Sequence, residues 1–389
     1  MRVTPFAYLE QKDEAAPSVV VPAHYIFTVA GTSYDGTTIN RIAKVLSDGS
    51  IDSTFNTGMT GVSLSNADYA GTTDGDFLYF GGADGSGNIK VFKVSATDGT
   101  LSATSSLTFN GSIFGAHVFG NYVYVTGTFT NAGTGSTARI ARLNKSDLSD
   151  ANTTTLFGVG FNNATFGKAI AFTSTHVYIA GTFTNYNSGA NTGGLVKLQL
   201  SDGSYDTTFA TNWGNATNNI RGMDLYNGIL YMGGFNSTNG YVYSVDTSGN
   251  ANSTFNTGVG TGFNGRIRDV VVNQKGQIGF QGQYTSFDGT GVNAFTVLDT
   301  DGSINSTFNG GSGTEMGGST NGRCGWNSEF DTWVVGKTAT GGFSWDGSSV
   351  NANAFINEDG TLNSTLTGTS VVGQVTFNNA PNPNELLRT

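Results

Sequence analysis

Cysteine is almost missing from this chain of 389 residues. Cys324 stands alone, which excludes an intrachain disulfide framework and a cysteine-built zinc site. Charge is scarce as well, at 12% of residues, where an ordinary soluble domain carries ~25%. The balance is acidic, with a formal net charge of −10, and no basic face is visible that could hold phosphates; nucleic acid is not an expected partner. No apolar run is long enough to cross a bilayer, so no membrane insertion is expected. Proline is confined to the two ends, at Pro5, Pro17, Pro22, Pro381 and Pro383. Because proline removes a ladder donor, the proline-free stretch between Ala23 and Ala380 suits a chain that is nearly all sheet. Helical periodicity is missing too, with no convincing apolar stripe at i, i+3, i+4 and i+7.

What the chain does contain is 57 glycines, much Ser, Thr and Asn, 37% apolar residues and 12% aromatic ones. That is too apolar and too aromatic for disorder. One string recurs: "DGSIDSTFN" from Asp48, "DGSYDTTF" from Asp202, "SGNANSTFN" from Ser248, "DGSINSTFN" from Asp301 and "DGTLNSTL" from Asp359. With Asp98, and with Asp150 in "SDANTTTLF", the aligned turns number seven, spaced 46 to 58 residues apart. Short apolar runs ending at Gly31, Gly82, Gly127, Gly181, Gly234, Gly282 and Gly336 give the same count. In the fifth unit, Ile220–Tyr226, the hairpin signal Asn227–Gly228, "ILYMGGF" and Tyr241–Asp246 read as three strands, and "NSTFN" as the start of a fourth. Four short strands per ~50 residues, repeated, are the signature of a β-propeller. The expected fold is all-β: a seven-bladed β-propeller of four-stranded antiparallel blades over residues 19–377. Met1–Ser18 and Asn378–Thr389 are read as tails, and Val371–Phe377 as the strand that closes the ring beside "SVVVPAHYIFTVAG". The Asp-Gly pairs supply positive φ for tight turns, and the phenylalanine that follows packs between blades.

The strings "DGSIDSTFNTG", "DTDGSINSTFNGG" and "DTSGNANSTFNTG" resemble the delta-60-repeat β-propeller family, whose members occur in bacterial surface proteins and phage structural proteins. The likeness covers about Val19 to Phe377 and is clear in five copies. It is weaker in the second, where "TDGTLSATSSLTF" carries extra residues before Phe109, and in the third, where Ala151 replaces the turn glycine. Kelch propellers rank next on the glycine doublet of "LYFGG" and "LYMGG", present in two copies. The family is defined by its fold and implies no shared activity.

Function therefore has to be sought in particular residues. Glycosidic cleavage needs two carboxylates about 5–10 Å apart; of the six glutamates, Glu315 and Glu329 flank the irregular stretch "TEMGGSTNGRCGWNSEF" and are the default pair. Against them stands a loop of the seventh unit, and no Asp-box or Gly-x-Ser-x-Gly motif supports catalysis. His24, His117 and His176 are far apart and are read as edge or core residues. "GVGTGFNG" (Gly258–Gly265) has the wrong spacing for a dinucleotide loop. "DTDG" places Asp299 and Asp301 where Ca²⁺ could sit, but a bare turn is the simpler reading. The expectation is a non-enzymatic chain with no cofactor and no metal.

The loops that follow the glycine-ended strands present Tyr34, Tyr186, Phe287 and Trp345 among Asn, Asp and Ser, a set that suits a host-surface glycan or protein, or else packs its own loops. In the N-terminal tail, Val3, Phe6, Tyr8 and Leu9 are read as an anchor that docks onto other virion proteins by strand addition. The composition suits a surface-exposed protein, yet Met1–Ser18 has no secretory core. From this the chain is expected to be a phage virion structural protein, displayed on tail, baseplate or capsid as a decoration or host-contact module. A bacterial surface or secreted binding protein and a propeller glycosidase are the alternatives.

Overall fold

Runs such as Tyr122–Gly127 and His176–Gly181, rich in β-branched and aromatic residues and bounded by polar turns, form short antiparallel strands. In the computed structural model of the chain, residues 3–5, 24–29, 33–34, 36–46, 50–214, 219–236, 239–292, 294–309, 323–327, 331–336, 343–345, 348–350 and 353–363 are described. Among them, seven sheets of three or four strands follow one another in sequence, with four two-stranded hairpins between strands. Sheet 1 holds Val3–Pro5, His24–Val29 and Ile42–Leu46. Sheet 2 holds Leu64–Thr73, Phe77–Asp84, Ile89–Ser95 and Leu101–Thr104. Sheet 3 is Ile113–Phe119, Tyr122–Gly127 and Ile140–Asn144, and sheet 4 is Thr165–Phe172, His176–Gly181 and Leu195–Gln199. Sheet 5 is Asn219–Tyr226, Ile229–Asn236 and Asn239–Asp246; sheet 6 is Arg266–Val272, Ile278–Gln283 and Phe295–Leu298. Sheet 7 is Arg323–Asn327, Thr332–Gly336 and Asn353–Asn357. The hairpin read from Asn227–Gly228 is present: Tyr226 pairs with Ile229, and φ is 47° and 76° at the two turn residues.

The first strand of each sheet packs against the first strand of the next, from sheet 1 through sheet 7. Among the described residues, six apolar clusters each lie between one sheet and its successor. The fold is all-β in its sheets, antiparallel and propeller-like.

Four-stranded blades are the expectation from sequence, but among the described residues only sheet 2 has four strands. Where "NSTFN" reads as a fourth strand, the chain forms short helices: α1 (Ser53–Met59), α2 (Thr153–Phe157), α3 (Thr207–Trp213), α4 (Ser253–Gly258) and α5 (Ser306–Asn309). The cause is the residue before the motif. Asp52, Asp206, Asn252 and Asn305 accept the amide of the phenylalanine three positions on, at 3.1, 2.9, 3.4 and 2.8 Å, which is N-capping geometry. Capping outweighs the strand preference of Thr and Phe.

Each helix lies between its own sheet and the next, with its large apolar residue buried: Phe55, Leu156 with Phe157, Phe209, Phe255 and Phe308. The Asp-Gly turn of the following sheet then seats on it. A Cβ at Gly99, Gly203, Gly249, Gly302 or Gly360 would collide with the backbone carbonyl of Phe55, Leu156, Phe209, Phe255 or Phe308 respectively. In return Gly58 and Gly258, in the helices, close on the carbonyls of Asp98 and Asp301. The recurring string is thus two halves of a joint: its turn receives the previous helix, and its helix receives the next turn.

The third copy supports the rule and corrects the alignment. The turn is Asp147–Leu148, not Asp150–Ala151, because Asp147 Oδ1 accepts the Ser149 amide at 2.9 Å as Asp202 and Asp301 accept those of Ser204 and Ser303. Asp150 instead takes the Thr153 amide at 3.0 Å and so opens α2. Leu148 holds the glycine place at φ 58° and is buried. Sheet 2 precedes it and ends in a strand, so no helix carbonyl blocks a side chain there. Burial of about 1.5–3 kcal/mol offsets the left-handed penalty of ~1–2 kcal/mol.

The tail boundary at Ser18 also changes. Val3–Pro5 pairs with Phe27–Val29 as the first strand of sheet 1. Among the described residues, Val3–Pro5 is the strand that covers this edge of His24–Val29. The reading of Val3 as part of a free anchor is therefore corrected; Phe6, Tyr8 and Leu9 lie outside the described residues, as do Val371–Phe377 and the C-terminal tail.

Gly302→Ala should destabilise the protein more than Gly289→Ala when both are unfolded in urea. Gly289 also has positive φ (77°) but open space around it, so both changes carry ~1–2 kcal/mol of backbone strain. Only Gly302→Ala pushes a Cβ into the helix, which should add about 1–3 kcal/mol of overpacking. Equal losses would show that turn and helix do not touch.

Candidate functional site

The loops between second and third strands are the candidate recognition surface, and their aromatics are not where a platform needs them. Tyr186, Phe287 and Trp345 are only 2%, 2% and 1% exposed. Tyr186 Oη donates to Gly203 O and Trp345 Nε1 donates to Gly360 O, each at 2.9 Å. Phe287 packs on Phe263 at 4.7 Å between ring centres. Three of the four rings thus reach back to the turn or core of their own sheet, and desolvating them there gives more than exposing them would. This corrects the expectation of an exposed aromatic platform. Tyr34 forms the hairpin Ser33–Tyr34 with Thr37–Thr38, and its side chain lies outside the described residues. Tyr186, Phe287 and Trp345 sit in three separate hairpins.

A device that sequence reading missed holds these loops in place. The Phe-Asn pairs at Phe109–Asn110, Phe161–Asn162 and Phe263–Asn264 precede the first strands of sheets 3, 4 and 6. Each phenylalanine is buried. Each asparagine Oδ1 accepts two consecutive loop amides: Thr130 and Asn131 at 2.8 and 2.9 Å, Thr184 and Asn185 at 3.0 Å each, and Thr285 and Ser286 at 2.9 and 3.0 Å. Its amide nitrogen donates to the threonine hydroxyl, as Asn264 Nδ2 does to Thr285 Oγ1 at 2.9 Å. A second tie joins loop to loop: Asp288 accepts from the Thr261 amide at 2.9 Å, which holds its carboxyl below the usual range. The signal was present as an "FN" before the first strands of sheets 3, 4 and 6.

With the aromatics turned inward, the loops expose Thr128, Thr130, Asn131, Thr184, Asn187, Ser188, Thr285, Asp288 and Thr290. Hydroxyl, amide and one carboxylate groups on a tied backbone form a pre-organised polar surface. Large apolar side chains are exposed only at Leu101 and Val159 among the described residues.

The remaining candidates resolve as follows. Glu315 and Glu329 lie outside the described residues. Asp299 accepts the Asn305 amide group at 2.7 Å and Asp301 accepts from Ser303, so the would-be Ca²⁺ carboxylates serve the turn. No group of three metal-ligating side chains is found among the described residues. His117 is buried in sheet 3, and burial lowers the pKa of His176. Cys324 is buried in sheet 7. No helix among the described residues is long and apolar enough to cross a membrane.

Of the comparisons with known proteins, one bears on the architecture. A family model, "Domain of unknown function (DUF5122) beta-propeller", matches residues 28–55, 122–149 and 176–209, which supports a β-propeller repeat family. Two of these stretches run from a second strand to the buried helix phenylalanine, Phe55 or Phe209, so the matched unit contains the joint described above. No curated protein matches in sequence. Among solved structures, a dihydro-heme d1 dehydrogenase NirN in complex with DHE is similar at 9% identity and a TM-score of 0.45, over 86% of this chain. The chain spans 64% of that protein's length. A putative oxidoreductase (glucose dehydrogenase) from Thermus thermophilus is similar at 12% identity and a TM-score of 0.36, over 75% of this chain and 96% of that one. Both neighbours are described as redox enzymes, where the sequence led to the expectation of a non-enzymatic chain. At these scores no activity, substrate or cofactor passes from them to this chain.

Asn264→Ala should speed amide hydrogen exchange at Thr285 and Ser286 at least tenfold and leave the thermal midpoint nearly unchanged, because Asn264 is exposed and ties only the loop. Unaltered exchange at these two amides would show that the loop is held by other means.

Proposed function

We propose that the seven sheets are the seven blades of a ring, and that the ring is a surface module of a phage virion that offers its tied polar loops to a host glycan or protein. The observation that carries this reading is the asparagine clamp. Three loops in three different sheets are fixed by the same pair of amide hydrogen bonds, and the side chains left facing water are hydroxyls, amides and one carboxylate. A loop already ordered before contact spares its partner that entropy cost. A scaffold in which each unit touches only its neighbours can carry such loops without coupling them to one another. The charge-poor surface and the resemblance to repeats found in phage structural proteins support the particle setting.

Density-gradient-purified particles from a producing culture provide the test, by quantitative mass spectrometry and antibody labelling of intact particles. The expected result is the chain in fixed ratio to the major capsid protein and reachable by antibody. Recovery from the cell envelope with none in particles would favour the bacterial surface reading instead.

A further inference from the structure

The acidic chain gathers arginines at one place, where the first strands of sheets 5 and 6 begin. Arg221 and Arg268 occupy equivalent positions in the two sheets: each is the extra residue of a β-bulge, between Ile220 and Gly222 and between Ile267 and Asp269. Bulges re-aim a side chain out of the regular ladder and are common beside functional sites. In sheet 3 the same bulge carries Phe114, so the fold does not require an arginine there.

The guanidinium groups are held in place. Arg221 Nε donates to Asn219 Oδ1 at 3.0 Å, and an Arg268 terminal nitrogen donates to Gln283 Oε1 at 3.1 Å. Arg266, opposite Gln283 in the ladder, is exposed and lies over the ring of Phe235 at 4.5 Å; Arg221 lies over the same ring at 5.0 Å. The two cations are therefore no farther apart than about the Debye length of ~8–10 Å, and salt screens their repulsion only in part. Of the neighbouring carboxylates, Asp224 accepts the Leu225 and Val272 amides and Asp269 those of Val270 and Cys324. Fixed guanidinium forks recognise compact oxyanions better than a lysine would.

We propose that Arg221, Arg266 and Arg268 form a binding site for the carboxylate of an acidic sugar. A sugar suits the surroundings better than an acidic protein does. The groups bonded to the arginines are the side-chain amides of Asn219 and Gln283, a chemistry suited to sugar hydroxyls. The exposed Leu101 and Val159, which could anchor a protein partner, belong to sheet 2 and to the segment ahead of sheet 4, not to sheets 5 and 6. The site rests on this geometry and stands whether or not the chain belongs to a particle.

Glucuronate is the probe, titrated into the full chain by NMR or calorimetry at low and physiological salt, beside glucose, sulfate and a polyglutamate peptide. The expected result is saturable glucuronate binding that glucose lacks, weakened by salt and reduced at least tenfold by Arg266→Ala and by Arg221→Ala. Arg266→Lys, which keeps the charge and loses the fork, should show an intermediate loss, and Lys275→Ala none. Unchanged circular dichroism and thermal midpoint confirm that the variants fold. Sulfate binding as tightly as glucuronate, polyglutamate binding alone, or no binding would each overturn the proposal.

Discussion

A backbone carbonyl at the end of a buried aromatic residue, pressed against a glycine of the next unit, is the contact on which this architecture depends. In four of the five cases the helix that presents the carbonyl is capped by Asp or Asn, and it stays because its phenylalanine is desolvated between two sheets. The glycine is needed twice over, for positive φ and for the absence of a Cβ. Neither half is stable alone: a helix of four to seven residues is far below the length that persists in water. The nine-residue string is repeated because five of the six described interfaces use both halves, the exception lying between sheets 2 and 3.

This explains what could be read in the sequence and what could not. Period, sheet class and the hairpin at Asn227–Gly228 were legible, because they depend on local turn chemistry and apolar spacing. The helices were not. "STFN" has the strand preference of Thr and Phe, and only the capping residue before it, with the seat provided by the next unit, decides the matter. Leu148 was misassigned for a related reason: glycine is absent just where the preceding unit has no helix, and an alignment on Asp-Gly shifts by three residues. The loop aromatics stood next to polar residues and looked exposed, but their partners, Gly203 O and Gly360 O, are 17 and 15 residues away.

The arginine site was hidden differently. Arg221 and Arg266 are separated by a whole unit, and a bulge cannot be seen in a single strand. In a chain with 12% charge, arginines at equivalent bulges of successive units are the trace they leave in the sequence. Joint, clamp and bulge divide the labour: the first fixes unit to unit, the second fixes loops to sheets, and the third aims side chains out of the scaffold.

The joint itself is tested most directly by a double-mutant cycle on unfolding free energy. Asn252→Ala removes the cap of α4, and Gly302→Ala blocks the turn that seats on α4. Both act on one contact, so their combined loss should fall short of the sum by more than the ~0.3–0.5 kcal/mol within which independent sites add. Gly302→Ala combined with Asp52→Ala, on the distant α1, should add within that margin. Additivity in the first pair, equal to that in the second, would contradict the account.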